Sequence, residues 1–265
     1  MKKNLLALSI ALISFSALVF SGCEKEDPDA IQMDTVNKGI QIIEGADGKQ
    51  YEVVDLGLPS GNLWATCNMG ASSPEKTGSF YAWGEVETKE EFSWRNYRWS
   101  EGNDLDITKY YTEDRGNYSR VGDQKTQLEI ADEAPYAVMG QGWRLPSDTD
   151  FRELLTTRNC TVKWCKLNGV GGYLFTSVRK GYEGNSIFLP LSGMNDSTKP
   201  RFEGEYGWYW CNTLYLNYNT NTGKNEYVTS EATALWLEHV EIDNHVIKSR
   251  PRYAGIPIRP VYVGK

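Results

Sequence analysis

Five cysteines and two histidines are the residues of this chain best suited to nucleophilic or metal chemistry. Cys160 and Cys165 have four residues between them, which is half of a zinc-binding pattern. No second cysteine or histidine pair completes it, so no metal is expected. His239 and His245 fit neither a helical metal pair nor a nucleophile–base–acid triad. No G-x-S-x-G elbow, phosphate-binding loop or dinucleotide fingerprint occurs. Two carboxylates flanking a glycosidic bond would suffice for sugar hydrolysis. Their separation is a property of the fold, and none of the 35 acidic residues stands out as such a pair. The expectation is therefore a non-enzymatic protein without a cofactor.

Cys23 differs from the other cysteines in its setting. Lys2 and Lys3 open the chain, Leu5 to Phe20 is apolar except for Ser9, Ser14 and Ser16, and Ser21 and Gly22 precede the thiol. This is the charged, apolar and small-residue order of an export signal. The apolar run falls short of the roughly 20 residues that a retained transmembrane helix needs. Val19-Phe20-Ser21-Gly22-Cys23 resembles the lipobox of bacterial lipoproteins, in which the cysteine is acylated and becomes the mature N-terminus. Residues 1–22 are thus expected to be a signal peptide and Cys23 the lipidation site, with the membrane as partner through that lipid. Glu24-Lys25-Glu26-Asp27 resembles the acidic tag behind the lipidated cysteine of surface-exposed Bacteroidota lipoproteins. Asp34-Thr35-Val36 resembles their O-glycosylation motif. Residues 23–39 are expected to be a flexible tether, and the location an outer membrane, facing the cell surface.

The remaining chain must position whatever binds. The full chain has a formal charge of −7, which becomes −9 without Lys2 and Lys3, and it lacks a basic run, so nucleic acid is not an expected partner. Nine Trp, 16 Tyr and 8 Phe are rings that bury large areas yet keep polar tips. Four cysteines after Cys23 allow three disulfide connectivities, among which the sequence does not choose. Residues 40–43 and 51–56 flank an Asp-Gly turn and read as a hairpin. Strand patterns follow at 62–66, 80–85, 173–178, 186–191, 206–218, 232–237 and 256–263. Alternation puts Tyr206, Trp208 and Trp210 on one face. Ser147 and Asp150 have capping-box spacing ahead of Phe151, Leu154 and Leu155, which predicts a helix ending near Thr157. A short helix is expected within 128–138, with Pro135 in its first turn. Residues 86–125 are polar and aromatic without a period and read as a long excursion. One α+β domain over residues 40–265 is expected.

Six ordered segments carry a family resemblance: Val54 to Ala71, Phe80 to Glu85, Gly142-Trp-Arg-Leu-Pro-Ser147, Ser186 to Gly193, Gly207-Trp-Tyr-Trp210 and Ile258-Arg-Pro-Val261. Over residues 50–263 the chain resembles the Fibrobacter succinogenes major paralogous domain family. Through the Trp-Arg-Leu-Pro-Ser and Arg-Pro-Val segments it also resembles the C-type-lectin-like and formylglycine-generating-enzyme superfamily. The resemblance implies small twisted antiparallel sheets, few helices and long loops. It does not imply that superfamily's chemistry, because no cysteine follows Cys211 and the calcium-binding triplets of such lectins are absent. Asn195-Asp196, the nearest acidic–amide pair, suits a turn. Arg144 and Arg259 are expected to meet buried carboxylates. Cys165 and Cys211 stand where relatives carry other residues, and a Cys165–Cys211 disulfide is expected from that coincidence, with Cys67 and Cys160 free or joined. The anchor, the resemblance, the 86–125 excursion and the aromatic density together lead to the expectation of a surface binding or adhesion module for a glycan or a surface protein, with Trp99, Tyr111 and Trp208, from the excursion and the 207–210 segment, as contact residues. The alternatives are a carbohydrate-active enzyme and a structural subunit of a surface assembly.

Overall fold

A computed structural model describes residues 27–32, 39–112, 122–239 and 244–264. Residues 1–22, expected to be a signal peptide, Cys23, Asp34 to Val36 and part of the 86–125 excursion lie outside the described residues. The fold is α+β: small antiparallel sheets, two helices and long connections.

The element order is β1 (Ala30–Ile31), β2 (Gln41–Glu44), β3 (Gln50–Asp55), β4 (Leu63–Ala65), β5 (Phe80–Tyr81), α1 (Ala134–Met139), β6 (Trp143–Arg144) and α2 (Asp148–Leu155). Then come β7 (Cys160–Leu167), β8 (Val170–Ser177), β9 (Ser186–Pro190), β10 (Ser192–Met194), β11 (Arg201–Glu203) and β12 (Tyr206–Asn219). The chain finishes with β13 (Lys224–Glu238), β14 (Asn244–Pro251), β15 (Ile256–Pro257) and β16 (Val261–Tyr262). The strands form sheets ordered β1-β7-β8-β9, β11-β10-β12-β13-β14, β15-β5 and β2-β3-β4-β16-β6.

The β12–β13 pair is the central wall. Period-2 alternation sends Trp208, Trp210, Ala234 and Trp236 into one core and Tyr209, Cys211, Leu235 and Leu237 into another. The first core also holds Trp83, Trp143 and Ile256, and the second holds Trp64, Phe151, Tyr173 and Ile187. Register shifts between Trp210 and Leu214 mark a bulge. The freed backbone there is used elsewhere: Cys211 O accepts from Trp83 Nε1, Asn212 O from Leu128 N, and Asn212 N donates to Pro146 O. The bulge thereby ties both helix-bearing segments to the wall.

Local signals placed several elements correctly. Ser147 Oγ accepts from Asp150 N, the Asp150 carboxylate accepts from Ser147 N, and α2 ends at Leu155. Pro135 sits in the first turn of α1. Other strands were not anticipated: β6, β7, β10, β11, the first half of β13, and β14. The tether also needs correction, because β1 pairs in parallel with β7, matching Ala30 to Lys166 and Ile31 to Leu167. Lys166 Nζ reaches Asp27 at 2.8 Å, and Ile31 packs on the Cys165–Leu167–Phe188 cluster. An extended segment that covers an open sheet edge gains backbone hydrogen bonds, so residues 27–32 do not behave as free linker.

Candidate functional site

The first face of the β11-β10-β12-β13-β14 sheet carries a continuous ladder of rings and cations. Phe202 meets Tyr206 edge-on at 5.6 Å, Tyr206 stacks on Trp236 at 6.1 Å, and Trp236 stacks on Trp208 at 5.7 Å. The small Ala232 and Ala234 on β13 leave room for large neighbouring side chains. From β14, Lys248 Nζ sits 3.1 Å from the Trp236 ring centre and the Arg250 guanidinium carbon 3.3 Å from that of Trp208. Trp208 is 2 % exposed and Trp236 8 %, whereas Phe202 at the far end is 41 % exposed. Gly193 allows β10 and β11 to approach closely: its φ is +65°, and a Cβ there would lie 2.1 Å from Arg201 O. Phe202 itself has φ 64°, a left-handed backbone unfavourable for a bulky side chain. Arg201, whose guanidinium pairs with Asp196, lies over its ring.

The ladder is rich in uncommitted donors. Trp208 Nε1, Trp236 Nε1 and Arg250 Nε are buried without a hydrogen-bond partner, and Trp208 touches both of the other side chains. Neither Lys248 nor Arg250 has an ion-pair partner among the described residues. Burial lowers the Arg250 pKa to about 10, with Glu231 acting in the opposite direction, so the group stays cationic at neutral pH.

The anticipated contact residues do not form one face. Trp208 belongs to the ladder, but its ring is covered by Arg250 and Trp236. Tyr111 is 6 % exposed, and its N–H and that of Tyr110 both donate to the Asp123 carboxylate at 2.9 Å. Trp99 is half-buried, with its indole N–H donating to Gly84 O at 2.9 Å and Arg98 and Lys109 over its ring. Several rings of the described excursion are packed against the domain. Phe92 and Tyr97 lie in a small core with Ala82, and Tyr97 hydroxyl donates to Trp83 O. The described residues of 86–125 do form a long excursion with little regular structure, held by aromatic and polar contacts.

Arg252 explains why that segment holds its shape. It is fully buried, lies over Trp83, Tyr97 and Tyr110, and donates to Tyr97 Oη and to the carbonyls of Lys109, Tyr110 and Thr229. Arg259 is equally buried and equally without a carboxylate, contrary to expectation. Its donors go to Asn68 Oδ1 and to the carbonyls of Ala65, Thr66 and Phe188. Arg144 does meet a buried acid, Asp150, at 2.7 Å. Asn195 makes the expected turn, its Oδ1 accepting from Ser197 N.

The expected Cys165–Cys211 disulfide is absent: Cys67, Cys160, Cys165 and Cys211 are all free thiols. Cys165 points into the small cluster beneath β1 with Leu167 and Phe188, while Cys211 faces the second core from β12. Burial raises the pKa of Cys160 to about 12 and that of Cys165 to about 11, and pushes Cys211 well up. Cys67 is only partly buried and lines an open groove of about 450 Å³ with Glu52, Asn68 and Met139. Its thiol is also raised by burial, with Arg259 partly offsetting the effect. Thiols held protonated are poor nucleophiles.

Several buried acids are committed to structure. Asp132 accepts from Tyr110 Oη and Lys109 Nζ, both at 2.5 Å. Glu133 accepts from Leu145 N at 2.6 Å and from Asn212 Nδ2 at 3.3 Å, yet burial lifts its pKa to about 7. Because the folded-state value is raised, the folded chain binds the extra proton between pH 4.5 and 7. Stability should therefore fall as pH rises through that window, by up to roughly 3 kcal/mol, and stay flat above it. Glu133→Gln is expected to remove this slope and to raise the melting temperature at pH 8. Its amide can donate to Asn212 Oδ1, which lacks a partner, after an amide flip. Thermal melts of both proteins across pH 4–8 check this, and parallel profiles would refute it.

Beside these sites, a recess of about 250 Å³ lies near the tip of the β12–β13 hairpin, where Tyr218 is 59 % exposed. Among the described residues no group of three or more His, Cys, Asp or Glu could hold a metal ion. No described helix is long and apolar enough to cross a membrane. His239 stacks on Trp164 with ring centres 3.5 Å apart, and His245 lies beside Tyr173 at 6.1 Å. Comparison with known proteins finds no matching family model, no matching curated protein and no matching solved structure.

Proposed function

We propose that this chain is a lipid-anchored, outer-membrane surface protein that acts as a non-enzymatic binding or adhesion module for glycan or protein ligands. The binding face in this reading is the Phe202–Tyr206–Trp236–Trp208 ladder with Lys248 and Arg250. The observation that carries it is the run of rings ending in the exposed Phe202 and flanked by Lys248 and Arg250, neither of which has an ion-pair partner among the described residues. Aromatic side chains with polar tips suit ligands that combine apolar faces and hydroxyl groups. A carbohydrate-active enzyme is less well supported, because Asp132, Glu133 and Asp150 are engaged by Lys109, Leu145 and Arg144.

A glycan-array and pull-down screen with the full chain tests the binding role. Retention of at least one ligand class is expected, and capture of none would refute it. The anchor has its own test. Cys23→Ser is expected to move the protein from the detergent phase to the aqueous phase in detergent partitioning. Equal partitioning of both proteins would assign the anchor to a retained helix instead.

If Cys23 carries the lipid, the docking of β1 sets the geometry of display. Only Glu24, Lys25 and Glu26 separate the acylated residue from Asp27, and four residue steps reach at most about 14 Å. The β1–β7 edge would then lie next to the bilayer.

A further inference from the structure

We infer that the ladder receives an anionic saccharide, its carboxylate or sulfate group held by Lys248 and Arg250 and its ring packed against Tyr206 and Phe202. This deepens the binding role proposed above and rests on it. Three features of the ladder point to this chemistry. First, its charged groups are donors only: the exposed Lys248 ammonium and the part-buried Arg250 guanidinium. A ligand that fits them must be rich in acceptors.

Second, two cations project from alternate positions of β14 with no carboxylate paired to either among the described residues. Each lies over an indole ring, 3.1 Å from the ring centre for Lys248 and 3.3 Å for Arg250. Desolvation already depresses Arg250, and a ligand anion would compensate it directly. The chain is acidic overall, so these two cations are a local exception to its charge. A guanidinium additionally offers carboxylate and sulfate groups a planar, two-pronged contact.

Third, the ladder ends in rings of increasing exposure, from Trp236 through Tyr206 to Phe202. Aliphatic C–H faces of a pyranose can cover such rings. An acidic peptide meets the cations equally well, but its own backbone N–H groups need acceptors. Among the side chains of the ladder only the Tyr206 hydroxyl is one. A saccharide presents acceptor oxygens around its ring together with an apolar face, and so matches both parts of the surface.

The test is calorimetric titration of the detergent-solubilised full chain with an oligogalacturonate, a sulfated oligosaccharide, their methyl-esterified and desulfated counterparts, and oligoglutamate. At least one acidic saccharide is expected to bind about tenfold or more tightly than its neutral counterpart, a single charge-assisted contact. Lys248→Gln and Arg250→Gln should each abolish that preference. Lys248 is exposed, so its variant should melt with the wild type and separate loss of binding from loss of folding. Neutral and acidic saccharides binding alike would overturn the inference, as would binding of oligoglutamate alone or of none of these probes. A neutral ligand still lost on Tyr206→Ala would overturn only the charge assignment and leave the proposed binding role standing.

Discussion

Replacing Arg259 by leucine is expected to destabilise the protein by about 3–5 kcal/mol, the range for breaking a buried charged network. The guanidinium stands between two sheets. It takes the carbonyls of Ala65 and Thr66 at the end of β4 and that of Phe188 in β9, with Asn68 Oδ1 as a fourth acceptor. Leucine would strand those four buried oxygens and fill only part of the volume. Burial lowers the pKa of Arg259, yet the ring of acceptors keeps the cation satisfied without a carboxylate. Lysine cannot reproduce four contacts from one plane, so Arg259→Lys should recover less than half of the loss. Urea denaturation of the three proteins measures this. A loss below about 1 kcal/mol, the size of an ordinary hydrogen bond, would show that the network is dispensable.

A similar loss, about 3–5 kcal/mol, is expected for Asp150→Ala, because it leaves Arg144 without its counter-ion. Asp150 is 2 % exposed. Its carboxylate accepts from Arg144 Nη1 at 2.7 Å, from Ser147 N and Oγ at 2.6 Å each, and from Asn62 Nδ2 at 2.6 Å. One side chain thus caps α2, neutralises the arginine of the Trp-Arg-Leu-Pro-Ser segment and ties both to the turn before β4. Burial alone would raise this carboxyl, but Arg144 and Ser147 outweigh it and the pKa is lowered. The contribution is therefore present above the ordinary carboxylate range and is lost as pH falls through the depressed folded-state value. Asp150→Asn should lose the acid-side dependence and part of the stability. Melting curves at pH 3–7 decide this. An Asp150→Ala protein that melts within 1 °C of the wild type would contradict it.

These two networks also show where sequence reading reached and where it stopped. The Ser147–Asp150 cap and the β2–β3 hairpin are local patterns, and both form as read. The alternation of Tyr206, Trp208 and Trp210 likewise placed one face of β12 correctly. What the sequence did not disclose was which partner lies across from a residue. Arg259 has no local sign of meeting carbonyls instead of an acid, because its acceptors are over 70 residues away at Phe188 and over 190 away at Ala65. Lys248 and Arg250 do sit at alternate positions with Val246, and Ala232, Ala234 and Trp236 alternate in the same way. That shared period was the available sign of the ladder. It was hidden because Lys224 to Ser230 and Lys248 to Pro251 are too polar to read as strands without their neighbours. The cysteines failed for the same reason: rarity at a position says nothing of distance in space.

The most direct test of the binding face uses Tyr206→Ala, which removes a partly exposed ring, and Lys248→Gln, which removes an exposed charge. Affinity for whichever glycan or protein ligand the full chain retains is measured by calorimetry, with melting temperature recorded in parallel. The ladder account predicts that each substitution weakens binding by about tenfold or more, the effect of a contact residue worth over 1 kcal/mol, while Lys248→Gln leaves the melting temperature unchanged. Affinity that stays at the wild-type value in both variants would contradict it.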